Sequence, residues 1–199
     1  MSRFLIGIDE VGRGPLAGPV AVCAFCLKEE ILEDFIKEIF GSKIRDSKKM
    51  TKKKREEITK IVTKKKKEGL LDFKISTAEA SVIDKYGINP SIKKSLEKSI
   101  LGLDLDPKSV IVFLDGGLKA PDIFINQETI IKGDSSNALI ATASILAKVY
   151  RDSLMVKYAQ EYTQYKFEKN MGYGTKAHID ALRETGISPI HRVSYLKNL

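Results

Sequence analysis

Apolar residues come along this chain in two rhythms, short unbroken runs and spaced stripes, and the rhythms assign the elements. Residues 3–9 form the first run. Phe4, Leu5, Ile6 and Ile8 are aliphatic or aromatic and Gly7 allows another backbone to come close, so a buried strand is expected. The turn Gly12-Arg13-Gly14-Pro15 breaks it. Residues 19–27 (PVAVCAFCL) are apolar throughout, which predicts a central strand. The link between the two runs is short, as in a hairpin-like antiparallel return. Residues 70–76 read as a third strand and 110–114 (VIVFL) as a short, fully apolar fourth. Ile123-Phe124-Ile125 and Thr129-Ile130-Ile131 then flank a polar turn.

Between these runs the spacing turns helical. Residues 29–40 carry Ile31, Phe35, Ile36, Ile39 and Phe40 on one stripe, and Gly41 ends it. Thr51 can cap a helix with Ile58, Ile61 and Val62 on one face and lysines on the other, stopped by Gly69. A short helix is expected over 78–86. Asn89-Pro90 reads as a cap followed by proline in the first turn, with Ile92, Leu96 and Ile100 on one face until Gly102. From Ser135 a long helix is expected to about Tyr158. Its first half, rich in alanine, can pack closely on a sheet. Residues 160–170 read as irregular or weakly helical. Thr175 caps a last helix that ends at Gly186, and a polar tail with His191 and Arg192 follows. A soft boundary near residue 160 would divide a core (1–160) from a small helical C-terminal segment (161–199).

Composition narrows the class. The 199 residues are 43% hydrophobic, enough for a real core, and 30% charged. No apolar run approaches the roughly 20 residues of a membrane helix, and no signal peptide is evident, so no membrane role and a cytoplasmic location are expected. Cys23 and Cys26 lack the second pair of a zinc site. An odd separation on a strand sends them to opposite faces, as two buried cysteines. The net charge of +8 favours a polyanionic partner, although the lysine run 64–67 also suits a solvated helix C-terminus.

Chemistry concentrates at chain breaks. Asp9 and Glu10 close the first strand, Asp115 closes the fourth, and Asp134 opens the long helix. Carboxylates far apart in sequence but gathered at strand ends suit hard divalent cations that also take phosphate oxygens. Singly, each has a plainer reading: Asp134 as a helix cap, Asp115 as a turn residue before glycine. Asp9-Glu10 resists one, because no adjacent basic residue precedes the pair to compensate it. The Gly12-Arg13-Gly14 turn can bring backbone close to a ligand, or can be a tight turn with an exposed arginine. It is neither a dinucleotide fingerprint nor a P-loop, since no third spaced glycine and no GK[ST] follow. His178 reads as a packed or surface helix residue. Neither it nor His191 has a nucleophile signature beside it.

Several blocks together resemble ribonuclease HII. They are residues 7–20 (GIDEVGRGPLAGPV), Asp46-Ser47-Lys48-Lys49, Asp115-Gly116, Lys132-Gly133-Asp134, 141–152 (ATASILAKVYRD), Gly172-Tyr173-Gly174-Thr175 and Pro189-Ile190-His191-Arg192. The resemblance spans essentially the whole chain. It implies an α/β ribonuclease H-like fold, a five-stranded mixed sheet flanked by helices with a helical C-terminal part. It implies Asp9, Glu10, Asp115 and Asp134 as catalytic ligands of two magnesium or manganese ions. The implied partners are RNA–DNA hybrids and duplex DNA carrying single ribonucleotides, with a monomer as the expected unit. The implied reaction cuts the RNA strand, on the 5′ side of a single ribonucleotide, leaving 3′-hydroxyl and 5′-phosphate ends. By the same resemblance Gly12, Arg13 and Gly14 read the 2′-hydroxyl, and Tyr173 stacks at the RNA–DNA junction. Ser47, Lys48, Ser144 and Lys148 become phosphate contacts. Arg151 and Asp152 are read as pairing with each other or with neighbouring elements. A non-catalytic nucleic-acid-binding module on the same fold is the alternative; loss of one of the four acids would favour it. No clamp-binding motif is evident in the C-terminal residues.

Overall fold

The computed structural model describes residues 3–41 and 50–197. Its centre is a five-stranded sheet of order β3-β2-β1-β4-β5. The strands are β1 Phe4–Val11, β2 Val20–Lys28, β3 Leu71–Ala78, β4 Val110–Asp115 and β5 Gln127–Ile130. β1 pairs antiparallel with β2 and parallel with β4. Every residue of β2 before Lys28 is buried, as expected of a strand covered on both faces. β5 holds only four residues and pairs parallel with β4.

The helices are α1 Leu32–Phe40, α2 Lys52–Lys67, α3 Ala80–Tyr86, α4 Ile88–Leu101, α5 Gly133–Ser136, α6 Ala138–Glu161, α7 Phe167–Asn170 and α8 Lys176–Thr185. The pleat divides the core between them. On one face Ile6, Ile8, Val112 and Leu114 meet Ile83, Ile92, Leu96 and Ile100 of α3 and α4. On the other, Leu5, Cys23 and Phe25 meet Phe35, Ile58, Val62, Leu139 and Ala143 of α1, α2 and α6. Cys26 belongs to the first cluster and Cys23 to the second, so the two free thiols lie on opposite faces. A third cluster packs Tyr165 and Phe167 against Met155, Ala17 and Ala181.

Most caps fall where expected. The Thr51 side chain accepts from Lys54 N and the Thr175 side chain from His178 N. Two boundaries differ. The long helix starts at Ala138, because Asn137 is extended and its side chain accepts from the N–H groups of Leu139 and Ile140. Asp134 therefore sits in the separate short helix α5 and does not cap α6. α4 opens at Ile88, after Gly87, which places Asn89 inside its first turn with no cap to make. Among the described residues no helix is long and apolar enough to cross a membrane.

Candidate active site

The site begins with the crossing of α6 over β1. A Cβ on Gly7 would fall 2.2 Å from the carbonyl carbon of Leu139, so only glycine lets the helix lie this close. Five residues on, α6 presents buried Ser144 to Asp9, which it hydrogen-bonds. Asp9 shares the α6-facing side of β1 with Leu5 and Gly7, while adjacent Glu10 points to the other side. On the parallel neighbour, Ile8 pairs with Leu114, so the next residues, Asp9 and Asp115, stand abreast at the C-terminal ends of both strands. The Asp115 carboxylate accepts from Gly133 N at 2.7 Å.

This end of the sheet is electrostatically uncompensated. Burial pushes the Asp9 carboxyl up to about 8; the Ser144 hydrogen bond opposes the shift, and the charges of Glu10 and Asp115 add to it. Burial also pushes Glu10 up, against the pull of the Arg13 guanidinium. One Glu10 oxygen takes Arg13 Nε; the other, Oε2, is buried with no hydrogen-bond partner among the described residues. Arg13 is fixed from its far side by Asn89 Oδ1 at 2.8 Å, the work that the first-turn asparagine performs in place of capping.

Asp9, Glu10, Arg13 and Asp115 line one open cleft of about 400 Å³, together with Gly12, Gly14, Arg55, Ser144, Lys148 and Tyr173. Tyr173 is 43% exposed and stands opposite Gly14, where a Cβ would lie 4.0 Å from its ring. Lys148 lines the cleft with its ammonium 2.8 Å from Asp152, so Asp152 pairs with Lys148 and not with Arg151. Asp134 is not among the lining residues. It is buried one residue beyond the Gly133 amide that anchors Asp115. Ser47 and Lys48 lie outside the described residues.

The acids fit a hard cation by their chemistry: all-oxygen donors, a raised Asp9 and an orphaned Glu10 oxygen. As they stand, no three candidate ligands among the described residues converge on one point closely enough to chelate an ion.

Sequence reasoning missed the parts played by Arg55, Asn89 and Arg192, and left Arg151 open between Asp152 and neighbouring elements, of which the structure shows the second. Arg55 was hidden in a lysine-rich helix, and Asn89 was masked by its strong capping signature. Arg151 and Arg192 are both fully buried, an unusual state for arginine that sequence does not announce. Arg151 donates to the carbonyls of Pro19, Ala17 and Met171. Gly12, at φ 97°, leaves room for it: a Cβ there would fall 2.3 Å from Arg151 Nε. His191 also departs from expectation, since it is buried and does not lie in a solvated tail.

A mixed five-stranded sheet of this order, with acids at the C-terminal ends of two neighbouring parallel strands, has the ribonuclease H-like arrangement. The comparisons with known proteins narrow this. The ribonuclease HII family model matches residues 6–198. Ribonuclease HII of Clostridium perfringens (strain 13 / Type A) is 44% identical over 197 residues, 99% of this chain and 68% of that protein. The chain belongs to the ribonuclease HII family. Among solved structures, ribonuclease HII in the PCNA:RNase HII complex from Archaeoglobus fulgidus has a TM-score of 0.77 at 22% identity, covering 96% of this chain and 95% of that one. Bst-RNase HIII in complex with Mn2+ has a TM-score of 0.68 at 16% identity, covering 93% and 63%.

Proposed function

We propose that the protein hydrolyses the RNA strand of RNA–DNA hybrids and incises duplex DNA on the 5′ side of single embedded ribonucleotides, leaving 3′-hydroxyl and 5′-phosphate ends. One observation carries the reading. A single cleft sets three clustered carboxylates beside a glycine-arginine-glycine loop and an aromatic ring. Membership of the ribonuclease HII family agrees with it. The presence of all four acids supports catalysis over a binding-only module.

In this reading Asp9, Glu10, Asp115 and Asp134 hold two magnesium or manganese ions. Ions held there would supply an activated water for in-line attack and a stabilised leaving oxygen. Asp134 is placed in the set by the family resemblance, and it follows directly on Gly133, whose N–H donates to Asp115. The manganese complex of Bst-RNase HIII is consistent with this choice of metal.

The chain's own groups do the recognition. Gly12, Arg13 and Gly14 meet the ribose 2′-hydroxyl, which distinguishes RNA from DNA. Tyr173 stacks on the neighbouring nucleotide, and Ser47, Lys48, Ser144 and Lys148 meet phosphates. Arg13 cannot reach far for substrate while it holds both Glu10 and Asn89, so its main chain is the better candidate reader.

The test is incision of a duplex carrying one ribonucleotide, with magnesium, with manganese and with neither. Cutting is expected only with metal and only 5′ of the ribonucleotide. An intact duplex under all three conditions sinks the proposal.

A further inference from the structure

The Pro189-Ile190-His191-Arg192 segment has no role in the chemistry above, yet it is buried at its centre. His191 is 2% exposed and Arg192 0%. It is tied to the start of the chain by an isolated antiparallel bridge between Ala17 and His191. Gly18 N donates to Ile190 O at 2.9 Å, and Arg192 N donates to Leu16 O at 2.8 Å. From this buckle two consecutive side chains serve opposite walls of the cleft.

Arg192 serves the loop. Its Nη2 donates to Gly12 O at 2.7 Å, its Nη1 to Arg13 O at 2.9 Å and its Nε to Gly18 O at 3.0 Å. Tyr195 Oη adds a second donor to Arg13 O. The peptide bonds of this loop are trans, so the N–H groups of Arg13 and Gly14 point away from these captured carbonyls. Among the described residues neither N–H has a protein acceptor. Arg192 thus faces the two carbonyls inward and leaves the two donors for a ligand.

His191 serves the tyrosine. Ser188 N–H donates to His191 Nδ1 at 2.9 Å, so that nitrogen carries no proton. His191 therefore donates from Nε2 to His178 Nε2 at 3.0 Å. His178 in turn donates from Nδ1 to the Tyr173 carbonyl at 2.9 Å. The hydrogen bonds admit this one pair of neutral tautomers. Tyr165 and Phe167 pack their rings against both imidazoles. Tyr173 is also held at its other end, where its N–H donates to Asn170 O.

We propose that His191 and Arg192 are positioning residues for substrate recognition: Arg192 orients the Gly12-Arg13-Gly14 loop, His191 through His178 orients Tyr173, and the buckle sets the gap between them. The proposal rests on reading that cleft as the ribonucleotide site.

Two measurements test it. The first is nitrogen NMR of the imidazoles at neutral pH. His191 is expected as the Nε2–H tautomer and His178 as the Nδ1–H tautomer; the reverse assignment overturns the relay. The second is affinity for two duplexes, one with a single ribonucleotide and one all-DNA, with calcium in place of magnesium. R192K, which keeps charge but loses the fork, and H191L are expected to weaken ribonucleotide-duplex binding about tenfold, the loss of one or two good hydrogen bonds. All-DNA binding should change less than about twofold, because phosphate attraction does not depend on the loop. H191Q, whose amide N–H can replace the Nε2 donor, should recover most of the loss. Thermal unfolding checks each variant, and if H191L fails to fold, H191Q and R192K decide. Equal weakening of both duplexes, or no weakening in a folded R192K, overturns the proposal. If the wild-type protein itself shows no preference for the ribonucleotide duplex, the reading of the cleft fails and the recognition role fails with it. The tautomer spectrum then reports the relay independently.

Discussion

The open end of β1 and β4 and the buckle around His191-Arg192 both bury ionisable groups, but the company those groups keep is different. Asp9, Glu10 and Asp115 are like charges gathered without enough donors, so burial pushes Asp9 up to about 8 and leaves Glu10 Oε2 with no partner among the described residues. Arg151 and Arg192 are fully buried, yet each is surrounded by carbonyls placed to accept from it. Burial pushes both guanidiniums down from their ordinary value, Arg151 to about 10. The difference separates a place that needs something from outside from a place that is finished. Unsatisfied burial marks where a ligand goes; satisfied burial marks what holds that place in shape.

The sharpest way to break this contrast is to neutralise one residue on each side. D9N is expected to lower incision by at least about a thousandfold, since it removes a charge that positions the reaction's own charge. At pH 7 and without metal the same change should stabilise the fold by about 2 kcal/mol. The sign follows from the raised carboxyl: above about pH 4 the unfolded Asp9 is ionised at no cost, whereas the folded one resists ionisation up to about 8. Urea unfolding with chelator present measures it, and a destabilised D9N would contradict the reading of that end as uncompensated.

R151M should move the other way, losing about 3 kcal/mol, because three buried carbonyls lose their donor at once. A neutral result in the same unfolding assay would mean that the guanidinium is not holding the loops together. Next in size is metal addition. Manganese or magnesium should raise the wild-type melting temperature by several degrees and leave D9N unmoved, as binding to the folded state alone requires. Acid gives a smaller effect. Burial, then the neighbouring His178, pushes His191 down to about 4 from an ordinary 6.5. Between those values the unfolded chain takes up a proton that the folded chain refuses, so stability is lost as pH falls from 6.5 towards 4. The expected loss is about 1–2 kcal/mol after allowing for solvent screening, and it should be absent in H191Q. At the bottom of the scale, K119A breaks an exposed pair with Asp122 and should leave the urea midpoint unchanged.

How much of this was readable in the chain depends on where each residue's partners lie. The strands and most helices were legible because their signals are local: unbroken apolar runs, a threonine before a stripe, a glycine after it. Asp9, Glu10 and Asp115 stood out as acids at the mouths of apolar runs. Their gathering as one set came from the family resemblance; the parallel β1–β4 pairing that brings Asp9 and Asp115 abreast is seen only in the structure. Asn89 reads locally as a cap because Asn-Pro is a strong start signal, and its true partner, Arg13, lies 76 residues earlier. Asp134 reads as the start of the long helix because nothing local distinguishes it from a cap; Asn137 further on takes that work. Arg151 and Arg192 were illegible as clamps because their backbone carbonyl partners, 20 to 180 residues away, carry no sequence mark.

The Ala17–His191 bridge has a consequence for the order in which the molecule is made. All five strands and their carboxylates have left the ribosome by Ile130, and the sheet can pair from then on. The loop after β1 cannot receive Arg192 until about sixty further residues have emerged, and closing so long a loop is slow. A nascent chain therefore carries Asp9, Glu10 and Asp115 before it carries the arginine that holds the Gly12 and Arg13 carbonyls. The acidic end of the sheet is written early, and the fastening of the loop beside it arrives last.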